Sequence, residues 1–285
     1  MKYSVSSYSY SQLRSSGAYT EIELIALAKE MGFDAIEFAE IHTPEGKEKL
    51  AYAAELKAEA ERVGIEIACY CIGADFLKNE NQVEDLKKEI DVAAALGVKR
   101  MRHDATSGFA DGQRGSKGFD QALPILADGC RAVTEYAQTK GIRTMVENHG
   151  FFCQDSERVE KLVNAVAHEN FGALVDIGNF LCADEDPAVA VGRMAPYAFH
   201  VHAKDFHVKN GNGVVPPDGY FRSRGGNALR GAIIGHGDVP VLQCLRILDA
   251  HGYDGYITVE FEGMEEAKKG VACGLRTLKY FDELL

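Results

Sequence analysis

Thr144-Met-Val-Glu-Asn-His-Gly150 and Ala173-Leu-Val-Asp-Ile-Gly178 are two short apolar runs, each ending on an acid, Glu147 and Asp176. Two later runs follow the same rule. Phe199-His-Val-His-Ala-Lys-Asp205 carries His202 near its end, and Tyr256-Ile-Thr-Val-Glu-Phe-Glu262 carries Glu260. From Glu147 to Asp176 is 176 − 147 = 29 residues, and from Asp176 to His202 is 202 − 176 = 26. One strand–helix unit of a parallel α/β fold occupies about 30. From His202 to Glu260 is 260 − 202 = 58 residues, so that unit carries an insertion. If the runs are neighbouring parallel strands, three carboxylates and one imidazole converge at their C-terminal ends. Burying three carboxylates together is costly unless a cation neutralises them.

The same rhythm extends to the rest of the chain. Strand candidates are Tyr3–Ser7, Ala35–Phe38, Glu66–Cys71, Arg100–His103, Arg143–Asn148, Ala173–Asp176, Ala198–Ala203 and Tyr256–Phe261. Helix candidates alternate with them at about 20–31, 46–63, 82–97, 118–140, 156–168, 187–195, 239–250 and 264–284. Glycine stands where helices would stop, in Met31-Gly-Phe-Asp, Val63-Gly-Ile-Glu, Leu96-Gly-Val-Lys and Lys140-Gly-Ile-Arg; such a residue just past a helix end turns the chain toward the next strand. Eight alternating units predict a single (β/α)8 barrel over residues 1–285. Phe206–Gly237, rich in Gly, Asn, Pro and Arg, reads as a long irregular insertion after the seventh strand, rising from the catalytic mouth.

Composition narrows the function. A net charge of −12 argues against a general nucleic-acid binder, which needs a basic footprint. The N-terminus lacks a signal-peptide core and no apolar run reaches bilayer length, so no membrane is expected. Seven cysteines without a Cys-x-x-Cys pair read as free thiols in a reducing cytoplasm.

Glu147, Asp176, His202 and Glu260 are therefore the predicted metal ligands. An oxygen-dominated set with one imidazole suits Mn²⁺, Mg²⁺ or Co²⁺, with Mn²⁺ preferred, and disfavours zinc. His149 shares a strand face with Glu147 and is a candidate acid or base. His103, at the end of the fourth strand, is expected to face the mouth. Lys204 is expected to orient a substrate hydroxyl, and Arg222 and Arg224 to clamp hydroxyls or an anionic group from the insertion. Tyr10 and Phe38 are candidates for an apolar wall, with core packing the plainer alternative.

Several segments together resemble a known group, the xylose isomerase-like TIM barrels. They are Met31-Gly-Phe-Asp-Ala-Ile-Glu37, Glu147-Asn148, Val175-Asp-Ile-Gly178, His200-Val-His-Ala-Lys-Asp205, Ile234-Gly-His-Gly-Asp238 and Tyr253-Asp-Gly-Tyr-Ile-Thr-Val-Glu260. That group includes sugar phosphate isomerases/epimerases, ketose 3-epimerases, inosose dehydratases and the more distant endonuclease IV. The resemblance implies a sugar-like small-molecule substrate and a dimer or tetramer. It also implies that Glu147 and Glu260 both bind the metal and move protons. The leading expectation is an isomerase or epimerase that abstracts a proton next to a carbonyl through an enediolate. Two positions depart from the pattern: Asn179 stands where a His often follows the aspartate, and His236 where a Glu often stands. These departures and the extra His149 leave a lyase on the same scaffold as the alternative. A nuclease of the endonuclease IV kind would need further His ligands that this chain lacks.

Overall fold

In a computed structural model, which describes residues 1–110 and 117–285, eight parallel strands close into a barrel. They are β1 (Lys2–Ser6), β2 (Ala35–Ala39), β3 (Glu66–Ile72), β4 (Arg100–His103), β5 (Arg143–Glu147), β6 (Phe171–Asp176), β7 (Ala198–Ala203) and, last in the chain, β11 (Tyr256–Val259). β1 pairs with both β2 and β11, which seals the cylinder. Around it lie α2 (Glu21–Glu30), α3 (Lys49–Val63), α4 (Gln82–Leu96), α5 (Phe119–Thr139), α6 (Ser156–Val166), α7 (Pro187–Met194), α8 (Val241–Ala250) and α9 (Ala267–Asp282). A short α1 (Ser11–Ser15) follows β1. No helix among the described residues is long and apolar enough to cross a membrane.

Local chemistry explains the element ends. Thr20 caps α2 through a reciprocal pair with Glu23, which answers two otherwise orphaned amides. Gly64 and Gly97 take left-handed φ angles of 71° and 78° and stop α3 and α4, as the glycine pattern predicts. Strand bounds differ from expectation by a residue or two, mostly at ends. The differences of two residues are at β6, which starts at Phe171, and at the last barrel strand, which stops at Val259 and leaves Glu260 just beyond it.

The insertion is more ordered than its composition suggests. β8 (Asp205–Lys209), β9 (Phe221–Arg222) and β10 (Ala228–Ala232) form a three-stranded antiparallel sheet in the order β8-β10-β9. Asp205 anchors it. Its Oδ1 accepts from the amides of Phe206 (2.8 Å) and Val239 (3.1 Å), and its Oδ2 from those of Gly235 (2.8 Å) and Gly237 (2.9 Å). A Cβ on Gly237 would collide with the Asp205 carboxylate, so this close approach requires glycine.

The core lies mainly between barrel and helices. Inside the barrel a small cluster of Cys69, Cys71, Met145 and Leu174 fills one layer. A polar chain runs beside it: Ser4 to Thr258, Thr258 Oγ1 to His200 Nε2 at 2.7 Å, and His200 Nε2 to Glu37 at 2.9 Å.

Candidate metal centre and active site

Glu147 and Asp176 are the last residues of β5 and β6, His202 is the penultimate residue of β7, and Glu260 follows β11. The register aligns them, with Asp176 opposite His202 and His202 opposite Thr258. One donor atom from each of Glu147, Asp176, His202 and Glu260 lies within 4.8 Å of all the others, and all four residues are buried. His202 Nδ1 stands 3.4 Å from Glu260 Oε2, 3.9 Å from Asp176 Oδ2 and 4.0 Å from Glu147 Oε1. Ligands about 2.1 Å from an octahedral cation are separated by about 3.0 Å when adjacent and about 4.2 Å when opposite. All three spacings fall between those values.

The inward-facing atoms point the same way. Asp176 Oδ2, His202 Nδ1 and Glu260 Oε2 are buried without an aligned hydrogen bond, and the positive charge that meets the two carboxylate oxygens is the Lys204 ammonium, 3.2 Å and 2.6 Å away. The second polar atom of Asp176 and that of His202 are occupied. Asp176 Oδ1 accepts from the amides of Gly178 (2.8 Å) and Asn179 (2.9 Å). His202 Nε2 donates toward both Glu37 oxygens at 3.0 Å, which leaves Nδ1 as the ring nitrogen that faces the acids. The donor set, three carboxylates and one imidazole, fits a hard divalent cation.

Electrostatics confirm how tightly the groups are coupled. Burial raises the Asp176 carboxyl, Lys204 opposes that, and Glu260 and Glu147 add to it. Burial works against charge on Glu260, but Lys204 and His202 hold it well below the usual carboxylate range. Burial likewise opposes protonation of His202, and Glu37 and Glu260 overcome it. Glu37, fully buried, is held down by the His202 and His200 imidazoles against its desolvation. Lys204 Nζ sits 2.6 Å from Glu260 Oε2, 3.2 Å from Asp176 Oδ2 and 3.1 Å from Asn179 Oδ1. Lys204 therefore lies beside the acids, ion-paired with two of them.

A cavity of about 330 Å³ opens above the cluster, with Tyr8, Arg14, Glu40, Arg102 and His149 among its walls. His149 stands on the rim, half-exposed, its Nδ1 3.0 Å from Asp104 Oδ1. Burial opposes its protonation, and Asp104 outweighs it to raise the imidazole above its usual range. Arg102 Nη2 in turn holds Asp104 at 2.9 Å and Glu147 Oε2 at 2.5 Å. Asn179 Nδ2 donates to Glu147 Oε1 at 2.9 Å. The position that departs from the family pattern thus bridges Glu147 and Lys204.

Three expected substrate contacts lie elsewhere. His103 points away from the barrel axis. Side chains alternate along β4, so Arg102 takes the inward face and His103 the outward one. It is fully buried between Phe76 and Phe171, with ring centroids 5.8 Å and 6.2 Å away. Arg222 is exposed and donates to Gly226 O at 2.8 Å. Arg224 donates to Asp155 Oδ2 at 2.9 Å and to Phe151 O. Neither arginine lines the cavity, because the insertion packs as a sheet with its own polar contacts. Tyr10 and Phe38 are core residues with no exposure. Sequence reasoning missed Glu37, Arg102 and Asp104.

A model of the xylose isomerase-like TIM barrel family matches residues 25–281. An inosose dehydratase of Clostridium perfringens (strain 13 / Type A) is 25% identical over 241 residues, covering 80% of this chain and 80% of that protein. An inosose dehydratase of Geobacillus thermodenitrificans is 24% identical over 194 residues, 64% of each chain. Among solved structures, an L-ribulose 3-epimerase superposes with a TM-score of 0.74 at 16% identity, covering 100% of this chain and 95% of that one. A probable 3-DHS dehydratase involved in petrobactin synthesis from Bacillus anthracis superposes at 0.71 with 19% identity, covering 98% and 99%. Both structural likenesses concern the fold.

Proposed function

The chain belongs to the xylose isomerase-like TIM barrel family, and from that premise we propose that it is a divalent-metal-dependent lyase removing water from a polyhydroxylated ketone. The observation that carries this reading is the His149–Asp104 pair on the rim of the cavity that holds the four-ligand cluster. Elimination of water needs a base for the proton beside the carbonyl and, in addition, an acid for the departing hydroxyl. The inosose dehydratases similar to this chain support the same choice.

Glu147, Asp176, His202 and Glu260 would hold the cation, with Mn²⁺ or Mg²⁺ suited to the oxygen-rich set. When bound, it supplies Lewis acidity at a carbonyl oxygen. Glu147, kept in place by Arg102 and Asn179, takes the proton from the carbon next to the carbonyl. The electron pair of that C–H bond forms the new C=C bond, and the C–O bond one carbon further on breaks. His149, fixed through Nδ1 by Asp104, delivers a proton from Nε2 to the leaving hydroxyl, which departs as water.

The cavity favours an uncharged substrate. Among its described lining residues, Arg102 and Lys204 are each paired with carboxylates, and Arg14 lies 3.4 Å from Glu21. No unpaired cation there awaits a phosphate. Glu40 and Glu262 add carboxylates to the walls, suited to accepting hydrogen bonds from substrate hydroxyls.

Incubation of the metal-loaded protein with a cyclic keto-polyol tests this. The expected product is lighter by one water and absorbs in the ultraviolet. His149→Gln should retain exchange of the substrate α-proton with solvent deuterium while eliminating poorly. A product of unchanged mass would transfer the assignment to the isomerase or epimerase reading. That second reading is favoured by one observation: two glutamates, Glu147 and Glu260, belong to the same cluster, and epimerisation needs two proton-handling groups.

A further inference from the structure

The N-terminal end of the barrel, opposite the acid cluster, holds a cavity of about 310 Å³. It lies at the starts of β3, β4 and β11 and is bounded by the last turns of α3 and α4. Arg100 is the first residue of β4 and shares a strand face with Arg102. It is half-buried, and its Nε is wholly buried without a partner. Arg100 and Lys99 both line the cavity, and neither pairs with a carboxylate among the described residues. A guanidinium drawn out of water with unanswered donors is costly.

The acids nearby are engaged elsewhere. Glu61 stands 3.8 Å from Lys57, and Glu66 stands 3.8 Å from Lys2 while accepting from the Tyr256 hydroxyl. The carbonyls at the ends of α3 and α4 favour cations, but the stem of Lys57 already passes against Gly97 at the end of α4. Arg143 stands opposite Arg100 in register. Its guanidinium lies 3.3 Å from the centre of the Phe199 ring, and burial together with the Arg100 charge holds it below its usual range. Positive charge is thus gathered here on a chain whose net charge is −12. Ile67, Ala68 and Leu96 give the cavity an apolar wall.

We propose that this cavity binds a small organic anion, its carboxylate or phosphate held by Arg100 and Lys99 and its body laid on the apolar wall. A guanidinium presents its donors in a fixed fork that matches either group. The mouth of the barrel differs in kind. There Arg14, Arg102 and Lys204 are paired with acids, whereas here two cations are left over. The inference stands without the lyase assignment.

Titration of the wild-type protein with phenyl phosphate, benzoate and benzyl alcohol tests it, read by calorimetry and by the side-chain Nε–H resonance of Arg100. Arg100→Gln lacks that resonance and so identifies it. A saturable shift with at least one anion, and none with the alcohol, is expected. A response to phenyl phosphate alone assigns the site to phosphate esters, and a response to benzoate alone assigns it to carboxylates. Arg100→Gln should bind the anion about 10-fold more weakly, through loss of a charge-assisted contact. Lys99→Gln should bind it about 3-fold more weakly, and it carries the comparison if Arg100→Gln does not fold. No saturable response to either anion overturns the proposal, and so does an equal response to the alcohol. Affinity unchanged in the variants overturns it too, as does affinity lost in Glu147→Gln, which would move the anion to the mouth.

Discussion

Asp176 and Asp205 are both buried aspartates just at the C-terminal side of barrel strands, yet they do opposite things. Burial raises the carboxyl of each. Asp205 spends both oxygens on four backbone amides and so ties the insertion to the barrel. Asp176 gives one oxygen to two amides and turns the other, met by the Lys204 ammonium at 3.2 Å but by no backbone amide, toward Glu147, His202 and Glu260. A saturated carboxylate is structure. A half-saturated one facing other half-saturated groups is a site. The lesson concerns leftover valence rather than residue type or depth.

If that distinction is right, substitutions at the two acid clusters should fail in different currencies. The largest effect belongs to Glu147→Gln. It removes one ligand charge and the proposed base, so activity should fall about 10³-fold, within the usual span for a positioned base. Bound metal should fall as well, while the unfolding midpoint without metal should not drop. Steady-state rates, metal counts and urea unfolding of the metal-free protein measure the three. Asp205→Ala should reverse the pattern. Four buried amides lose their acceptor, and leaving such groups unsatisfied costs about 1–3 kcal/mol each before relaxation or water entry. We expect a loss of about 3 kcal/mol in unfolding free energy with the metal affinity nearly kept. An Asp205→Ala protein of normal stability and no metal would erase the contrast.

How much of this was legible in the sequence follows from the same physics. The barrel was legible because each strand ends where an apolar run meets a polar residue, and Gly64 and Gly97 mark helix stops. The clustering of Glu147, Asp176, His202 and Glu260 was legible because each stands at or near the end of such a run. Glu37 was not, although its segment was noticed. It sits inside β2, and its partner His202 is 165 residues away, so no local spacing connects them. Arg102 and His103 are adjacent polar residues of a four-residue strand. Which one faces the axis depends on register, here Arg102 against Met145, and a one-residue shift would exchange them. The insertion read as irregular because Gly and Asn dominate it, while its order comes from pairing Ala228–Ala232 against Asp205–Lys209, a contact between distant stretches. Glu37 offers a middle case that sharpens the comparison. It touches no reacting atom by its placement, yet it fixes which nitrogen of His202 carries the proton. Glu37→Gln should weaken metal binding about 10–100-fold, the usual cost of losing a partner that orients a ligand. Calorimetric titration with Mn²⁺ reads this, and an unchanged affinity would mean that His202 is held by its packing alone.

His103 bounds the rule from the other side. Its Nε2 is buried and unpartnered, like His202 Nδ1, but it faces the rings of Phe76 and Phe171 rather than other donors. An orphaned atom without orphaned neighbours marks a neutral core imidazole, and burial pushes its pKa down to about 4. In the unfolded chain the same group titrates near ~6.5. Below that value the unfolded state binds the proton and the folded state does not, so stability is fully present above it and drains away as pH falls toward the folded value. Between pH 7 and pH 6 the loss from this one group should be about 0.7 kcal/mol. His103→Leu should remove that increment, so the difference in unfolding free energy between wild type and variant should change by about that amount across the interval. Urea unfolding at the two pH values measures it. Parallel behaviour of the two proteins would mean that His103 titrates as a solvated imidazole, which would return it to the mouth of the barrel and break the distinction between isolated and convergent orphans.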